Sequence, residues 1–386
     1  MQAWLEPLIK IVFLMLALQG AVAYLVFVER KVAAYIQDRL GPNRVGPWGL
    51  FQPIADGLKF IFKEEIIPAG ADKALFLIAP VSILATATVA FATIPFGYVI
   101  PGGGAEPIVL TIAPEMDIGV LFVFAISSLG VYGVVLGGWA SNNKYSFLGG
   151  LRSSAQLVSY EIPLGLSVIG VLLFAGSLRM ETIIARQAET GWWWFAVQPL
   201  AFVVFMISGC AESSRLPFDL PECEQELVAG YHTEYTAMKF GMFAMAEYQH
   251  MVTVAFLAVL LFFGGWHLWG LAPYTPGNEV TWFGAIMRVM VLSVKVLMMI
   301  FFFMWIRWSW PRFRYDQLMD LAWKSMIPLG IVNLLVCALC QEFLKPDDMI
   351  TRCVLGWLAV AGCVIWMAMS ARPIGPHAQV ASEPGA

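Results

Sequence analysis

Charge is what this sequence has least of. Lys, Arg, Asp and Glu make up 13% of its 386 residues, where a soluble chain carries about 25%. That shortfall excludes an ordinary soluble domain and places the chain in the integral membrane class. No basic tail points to nucleic acid. The six cysteines are scattered, and the C-x-x-C of Cys337 and Cys340 has no second Cys or His pair beside it. They read as small packing residues, not as metal, redox or iron–sulfur ligands. The N-terminal run Leu8 to Val28 lacks a positive flank before it and an A-x-A-like site after it, and is too long for a signal-peptide core. It reads as a first membrane span. Segments of about ten alternating residues, the mark of a membrane β-barrel, are also missing.

What fills the space is apolar sequence, 59% hydrophobic. A span needs about 20 mainly apolar residues. Nine runs qualify, at 7–29, 74–96, 117–138, 155–176, 195–212, 239–263, 283–306, 323–343 and 351–370. A helix satisfies its own backbone in lipid, so the fold class is an all-α polytopic membrane protein. Pro80, Pro163 and Pro199 predict local breaks or kinks.

Cations give the orientation. Arg30, Lys31, Arg39, Arg44, Lys59, Lys63, Lys73, Lys144, Arg152, Arg215, Lys239, Arg307, Arg312, Arg314, Lys324 and Arg372 fall after odd-numbered spans or in the tail. Only Lys10, Arg179, Arg186, Lys345 and Arg352 fall on the other side. The positive-inside rule puts the N-terminus outside and the odd links in the cytoplasm.

Two segments before span 2 are not span. In 38–53, DRLGPNRVGPWGLFQP, Gly and Pro forbid a regular element; Arg39 and Arg44 are there to bind phosphates or carboxylates, or only to set topology. In 53–67, PIADGLKFIFKEEII, apolar Ile54, Leu58, Ile61, Phe62 and Ile66 recur at helical spacing while Asp56, Lys59 and Lys63 lie opposite. This is an interfacial amphipathic helix, or else a loop helix packed on the bundle.

Glu161, Glu212, Glu247, Arg288 and Lys295 lie inside or at the ends of spans. A charge at a helix centre costs about 3 kcal/mol on the lenient scale and usually marks function. Arg288 and Lys295, seven apart, share a face. Glu247, with His250 one turn on, reads as part of a proton or substrate path, with ion pairing to Lys295 as the competing reading. The link after span 5, FDLPECEQELVAGYHTE (218–234), collects Asp219, Glu222, Glu224, Glu226 and Glu234 without one cation. A capping box accounts for Asp219 and Glu222. The other three are left over, and crowded carboxylates hold protons near neutral pH if they are enclosed.

Four strings, VERKVAAYIQDRLGPNRVGPWGLFQPIADGLKFIFKEE (28–65), GWASNNKYSFLGGLRSSAQLVSYE (138–161), AESSRLPFDLPECEQELVAGYHTEYTAMKFGMFAMAEY (211–248) and WIRWSWPRFRYDQLMDLAWKSMIPL (305–329), resemble the family of H subunits of NADH-quinone oxidoreductase, respiratory complex I. The resemblance covers about 1–345 and implies a membrane core there. The acidic link is then 213–238, and 346–386 is an added helix and tail. It departs from the family's usual AETNRAPFDLPE at Ser214 and Leu216.

The resemblance implies a membrane subunit with no redox cofactor of its own that forms the membrane side of a quinone tunnel. NADH, FMN and iron–sulfur clusters would belong to partner subunits: the hydrophilic quinone-site and terminal iron–sulfur subunits, with small membrane subunits alongside, in a bacterial inner membrane. It implies a proton path of Glu161, Glu212, Glu222, Glu224, Glu226, Glu234 and Glu247. On the tunnel side it implies Arg39, Arg44, Gln52, Asp56, Lys59, Phe218 and Asp219, with Glu29 and Arg30 at the mouth. Rival readings are the related membrane subunit of energy-converting hydrogenases or ferredoxin- or F420-dependent dehydrogenases, a secondary transporter, and a pure scaffold. A transporter predicts an internal repeat, and PECEQE and RLGPN have no second copy.

Overall fold

The computed structural model describes residues 2–97, 99–100, 108–114, 116–219, 227–269, 282–344 and 348–370. Nearly all of it is helix: α1 Gln2–Ile36, α2 Gln52–Phe62, α3 Lys73–Val89, α4 Gly119–Ala140, α5 Lys144–Ala175, α6 Met180–Thr190, α7 Trp194–Val197, α8 Pro199–Glu212, α9 Ala237–Phe262, α10 Trp282–Ser309, α11 Tyr315–Phe343 and α12 Met349–Ser370. A two-residue antiparallel ribbon, Val99–Ile100 against Ile108–Val109, lies between α3 and α4.

Eight of these helices are long and apolar enough to cross a membrane; the nine expected spans are not all of that kind. The fifth is the exception. Pro199 starts α8 at its first turn instead of kinking a longer helix, because its ring removes the N–H that a continuous helix needs. At 14 residues, α8 is about 21 Å long, short of a hydrocarbon core of about 30 Å. Pro80 and Pro163 do lie inside helices, α3 and α5. The interfacial helix is also shorter than expected. It stops at Phe62, where Lys63 turns extended at ψ 137°.

Broken backbone at membrane depth persists only where neighbours satisfy it. The last helix does this for the fifth span. Cys353 Sγ and Trp357 Nε1 of α12 each donate to the Ala196 carbonyl at 3.1 Å, and buried Gln198 donates to Gly170 O of α5 at 3.0 Å. The backbones of α12 and α7 meet at Gly356, where an added Cβ would stand 2.4 Å from Val197 O. The C-terminal helix is therefore seated on the break by a specific contact.

The centre of the bundle is α9, 72% buried along its most apolar stretch, against 17% for α1 and α12. It packs on α3, α8 and α10, with Phe91 edge-on to Phe256 at 5.9 Å and Phe205 against Phe262 at 5.3 Å. Outer helices leave residues such as Phe13, Leu16, Leu121 and Phe301 uncovered, as a bundle in lipid does.

Gly356→Val should unseat α12, costing about 1–3 kcal/mol as overpacking does. Thermal unfolding of the assembled complex in detergent would register the loss. An unchanged midpoint would mean that α12 is not docked at Val197.

Candidate functional site

Glu29, near the end of α1, is 4% exposed. Both of its oxygens accept from Arg215 Nη1, at 3.0 and 3.2 Å, and Arg307 Nη1 donates to the same carboxylate. Arg215 comes from the link after α8, and Arg307 from the last turn of α10. The Arg215 guanidinium also lies 3.9 Å above the Tyr248 ring of α9. Burial alone would weaken the hold of Arg215 on its proton. The Glu29 carboxylate, with Tyr248 and Glu247 behind it, more than reverses this and keeps the group charged. One acid with two guanidiniums is thus the junction of α1, α10, α9 and the link. Sequence placed Glu29 beside Arg30 at a tunnel mouth. Neighbours on a helix point about 100° apart, and the two part company here.

Next to that junction is a cavity of about 40 Å³, enough for a few waters. Glu161 of α5, Glu212 of α8 and Glu247 of α9 all line it, with His250 and Tyr231. Ser127 Oγ of α4 donates to Glu212 at 2.5 Å, and Tyr231 O–H donates to Glu247 at 3.1 Å. Tyr231 sits in the turn Gly230–His232. That turn comes close because α5 offers Gly149, where a Cβ would meet the Gly230 backbone at 2.6 Å. Three carboxylates from three helices therefore share one polar space deep in an apolar bundle.

The other acids expected on the path lie elsewhere or are not described. Glu234 accepts from Asn143 Nδ2 at 2.6 Å, while the same Asn143 caps α5 through its Oδ1. This is the corner between α4 and α5. Glu222, Glu224 and Glu226 lie outside the described residues, and with Glu222 goes the expected capping box. Asp219 is buried and faces Arg312 at 3.5 Å. Lys295 does not pair with Glu247. Its Nζ donates to the carbonyls of Phe263, Gly265 and His267 at 2.7, 2.9 and 2.7 Å, a cation at the carbonyl end of α9 where the helix dipole favours it. The Trp193 ring lies 4.7 Å away. Arg288 is buried on the same face of α10.

The tunnel-side residues fall into three groups. Asp56 of α2 joins Arg30 at 2.6 Å, Gln52 at 3.2 Å and Lys59 at 4.0 Å, a partly exposed cluster tying α2 to the end of α1. Arg39 and Arg44 stay in the exposed loop, where Arg39 donates to Gln37 at 2.8 Å. Phe218 is buried, stacked on Phe313 at 5.6 Å and against Tyr160 at 5.7 Å. The α2 face bearing Ile54, Leu58, Ile61 and Phe62 is exposed, while Phe60 packs on Phe240 of α9. No group of three or more His, Cys, Asp or Glu among the described residues could hold a metal.

The sequence reading missed Arg215, Arg307, Tyr248, Tyr231 and Ser127. The two arginines were counted only as topology signals. A cation three residues past an acid at a span's end was the available hint for Arg215.

Comparison with known proteins gives the family. Residues 9–338 match the model of the NADH dehydrogenase family. The NADH-quinone oxidoreductase H subunit 1 of Cytophaga hutchinsonii is 48% identical, covering 82% of this chain and 91% of its own. Its namesake in Geobacter metallireducens is 49% identical, covering 85% and 94%. The chain belongs to the family of NADH-quinone oxidoreductase H subunits. The H subunit of Leptospira biflexa, 46% identical over 87% of this chain and 95% of its own, agrees. The family match ends at 338, before α12 begins.

Glu29→Gln would leave Arg215 and Arg307 facing each other without a counter-charge. Breaking a buried ion cluster costs about 3–5 kcal/mol, so the complex should assemble poorly or melt earlier. Blue-native gels of membranes carrying the variant read this out, and normal assembly with an unchanged melting point would contradict it.

Proposed function

We propose that this chain is the membrane subunit of a proton-pumping NADH:quinone oxidoreductase. In this reading it walls the membrane side of the quinone tunnel and links quinone reduction to proton translocation through carboxylates. The observation that carries the reading is the cavity shared by Glu161, Glu212 and Glu247. A charge in a span is expensive, and three acids around room for water is an arrangement suited to moving protons. The names of the relatives favour an NADH:quinone enzyme over the hydrogenase-type alternative.

Quinone enters from the bilayer past the exposed apolar face of α2 and the end of α1. It is reduced by electrons from a hydrophilic partner subunit that holds the terminal iron–sulfur cluster; the other redox groups belong to further partners. Charge developed there reaches the acids of the 218–234 link and then Glu212, Glu161 and Glu247. Arg215 supports this order, because one guanidinium holds Glu29 and lies within Coulombic reach of Glu247. The chain is set in a bacterial inner membrane with its N-terminus outside and the link in the cytoplasm. Residues 1–345 form the core, and 346–386 are an addition.

Glu247→Gln, and separately Glu224→Gln or Glu226→Gln, should lower coupled NADH:quinone activity roughly tenfold or more, as loss of a proton-transfer group does. NADH oxidation by artificial acceptors should stay intact. Full quinone activity with full pumping in these variants would remove the relay.

A further inference from the structure

The cavity contains one titratable group that the carboxylate reading leaves unused. His250 follows Glu247 by three residues on α9 and lines the same space. Its Nε2 faces α4: a Cβ placed on Gly130 would meet it at 3.6 Å and Thr86 Oγ1 at 3.3 Å. Among the described residues no protein group hydrogen-bonds this imidazole, so its ring nitrogens are left to water. An imidazole in a spanning helix without a protein partner is costly to keep for packing alone.

The groups around it are of two kinds. Glu161 from α5, Glu212 from α8, Glu247 from its own helix and Tyr231 from the Gly230–His232 turn can each gain or lose a proton. The wall made by α3 and α4 contributes no titratable group, only the hydroxyls of Ser127 and Ser128 among apolar Ile83, Val131 and Val134. His250 thus faces α4 at Gly130 as Glu212 does at Ser127, and Arg215 lies toward Glu29 and α1.

We propose that His250 is a further proton-transfer group of this cavity, exchanging protons with the carboxylates through water. This rests on the carboxylate relay proposed above. A protonated Glu212 or Glu247 gives its proton to a cavity water, and that water gives one to the neutral ring, leaving a carboxylate and an imidazolium. Release from the other ring nitrogen to the next water restores the neutral ring, and no electron moves. Imidazole suits this step because it has two nitrogens and its ordinary pKa is near 6.5.

The test uses the assembled complex in sealed membranes. His250→Asn keeps polarity but cannot carry the proton. It should lower proton pumping and coupled NADH:quinone activity roughly tenfold and change the solvent isotope effect, with NADH oxidation by an artificial acceptor unchanged. His250→Glu restores a titratable group. It should recover at least about half of the activity, with a pH profile displaced from that of the wild type.

Wild-type pumping and pH profile in His250→Asn would overturn the proposal. So would equal losses in both variants, which is the mark of a packing role. Should His250→Asn not assemble, His250→Gln carries the same test. Glu247→Gln and Glu212→Gln run beside them: if these are impaired while His250→Asn is normal, only the histidine proposal fails. If both are silent, the relay itself fails, and the histidine proposal with it.

Discussion

A carboxylate buried between two guanidiniums holds the working half of this bundle in place. Glu29 binds Arg215 and Arg307 at once, and among the described residues neither arginine makes a second ion pair. Desolvating such ions costs several kcal/mol each, and their mutual attraction returns this only when the geometry is kept. The end of α1, the last turn of α10 and the link after α8 are thereby held in one register. Because Arg215 also covers Tyr248, α9 is included. Glu247 on α9 and Glu212, three residues before Arg215, sit on elements joined by this contact, while Glu161 reaches the cavity from α5.

The far end of α9 is secured by the opposite device. The carbonyls of Phe263, Gly265 and His267, just past its last turn, are gathered by the Lys295 ammonium, which has three donors and meets three acceptors. One central helix is thus held by charge near its middle, at Tyr248, and just past its end, with apolar packing between them and a pocket of water-sized space beside Glu247. Polar groups that would each be expensive in hydrocarbon are grouped so that they solvate one another. The break before α8 is met by the same kind of pairing: Cys353 and Trp357 donate to the Ala196 carbonyl beside Pro199.

Most of the architecture was legible in the sequence because a span announces itself by length and apolarity. Eight of the nine runs are helices long enough to cross a membrane, and the shortfall of the fifth was written in Pro199, expected as a break or kink and found as a break at a helix start. The site was legible in part. Glu161, Glu212 and Glu247 stood out because a charge in a span has a known cost, and they do share one cavity. What a linear pattern could not give is which charges meet. Lys295, seven residues from Arg288, suggested a partner for Glu247 but reaches backbone carbonyls thirty residues back in the chain. Arg215 looked like one more cytoplasmic cation, and its burial depends on Glu29, 186 positions away. Pairings across such separations are set by packing, which composition does not encode.

The contrast between the two charged clusters at the end of α1 says which is structural and which is adaptable. Arg30 and Asp56 are 47% and 21% exposed in their side chains, a setting in which an ion pair contributes about 0–1 kcal/mol. Glu29 and Arg215 are 5% and 8% exposed, and there the same chemistry cannot be broken cheaply. Successive residues of one helix therefore serve different ends. Glu29 fixes the frame around the cavity, while Arg30 attaches α2 by a contact weak enough to let that helix shift against the bundle. In the reading proposed above, a surface past which quinone slips calls for the second kind of contact, and a chamber that keeps acids at fixed spacing calls for the first.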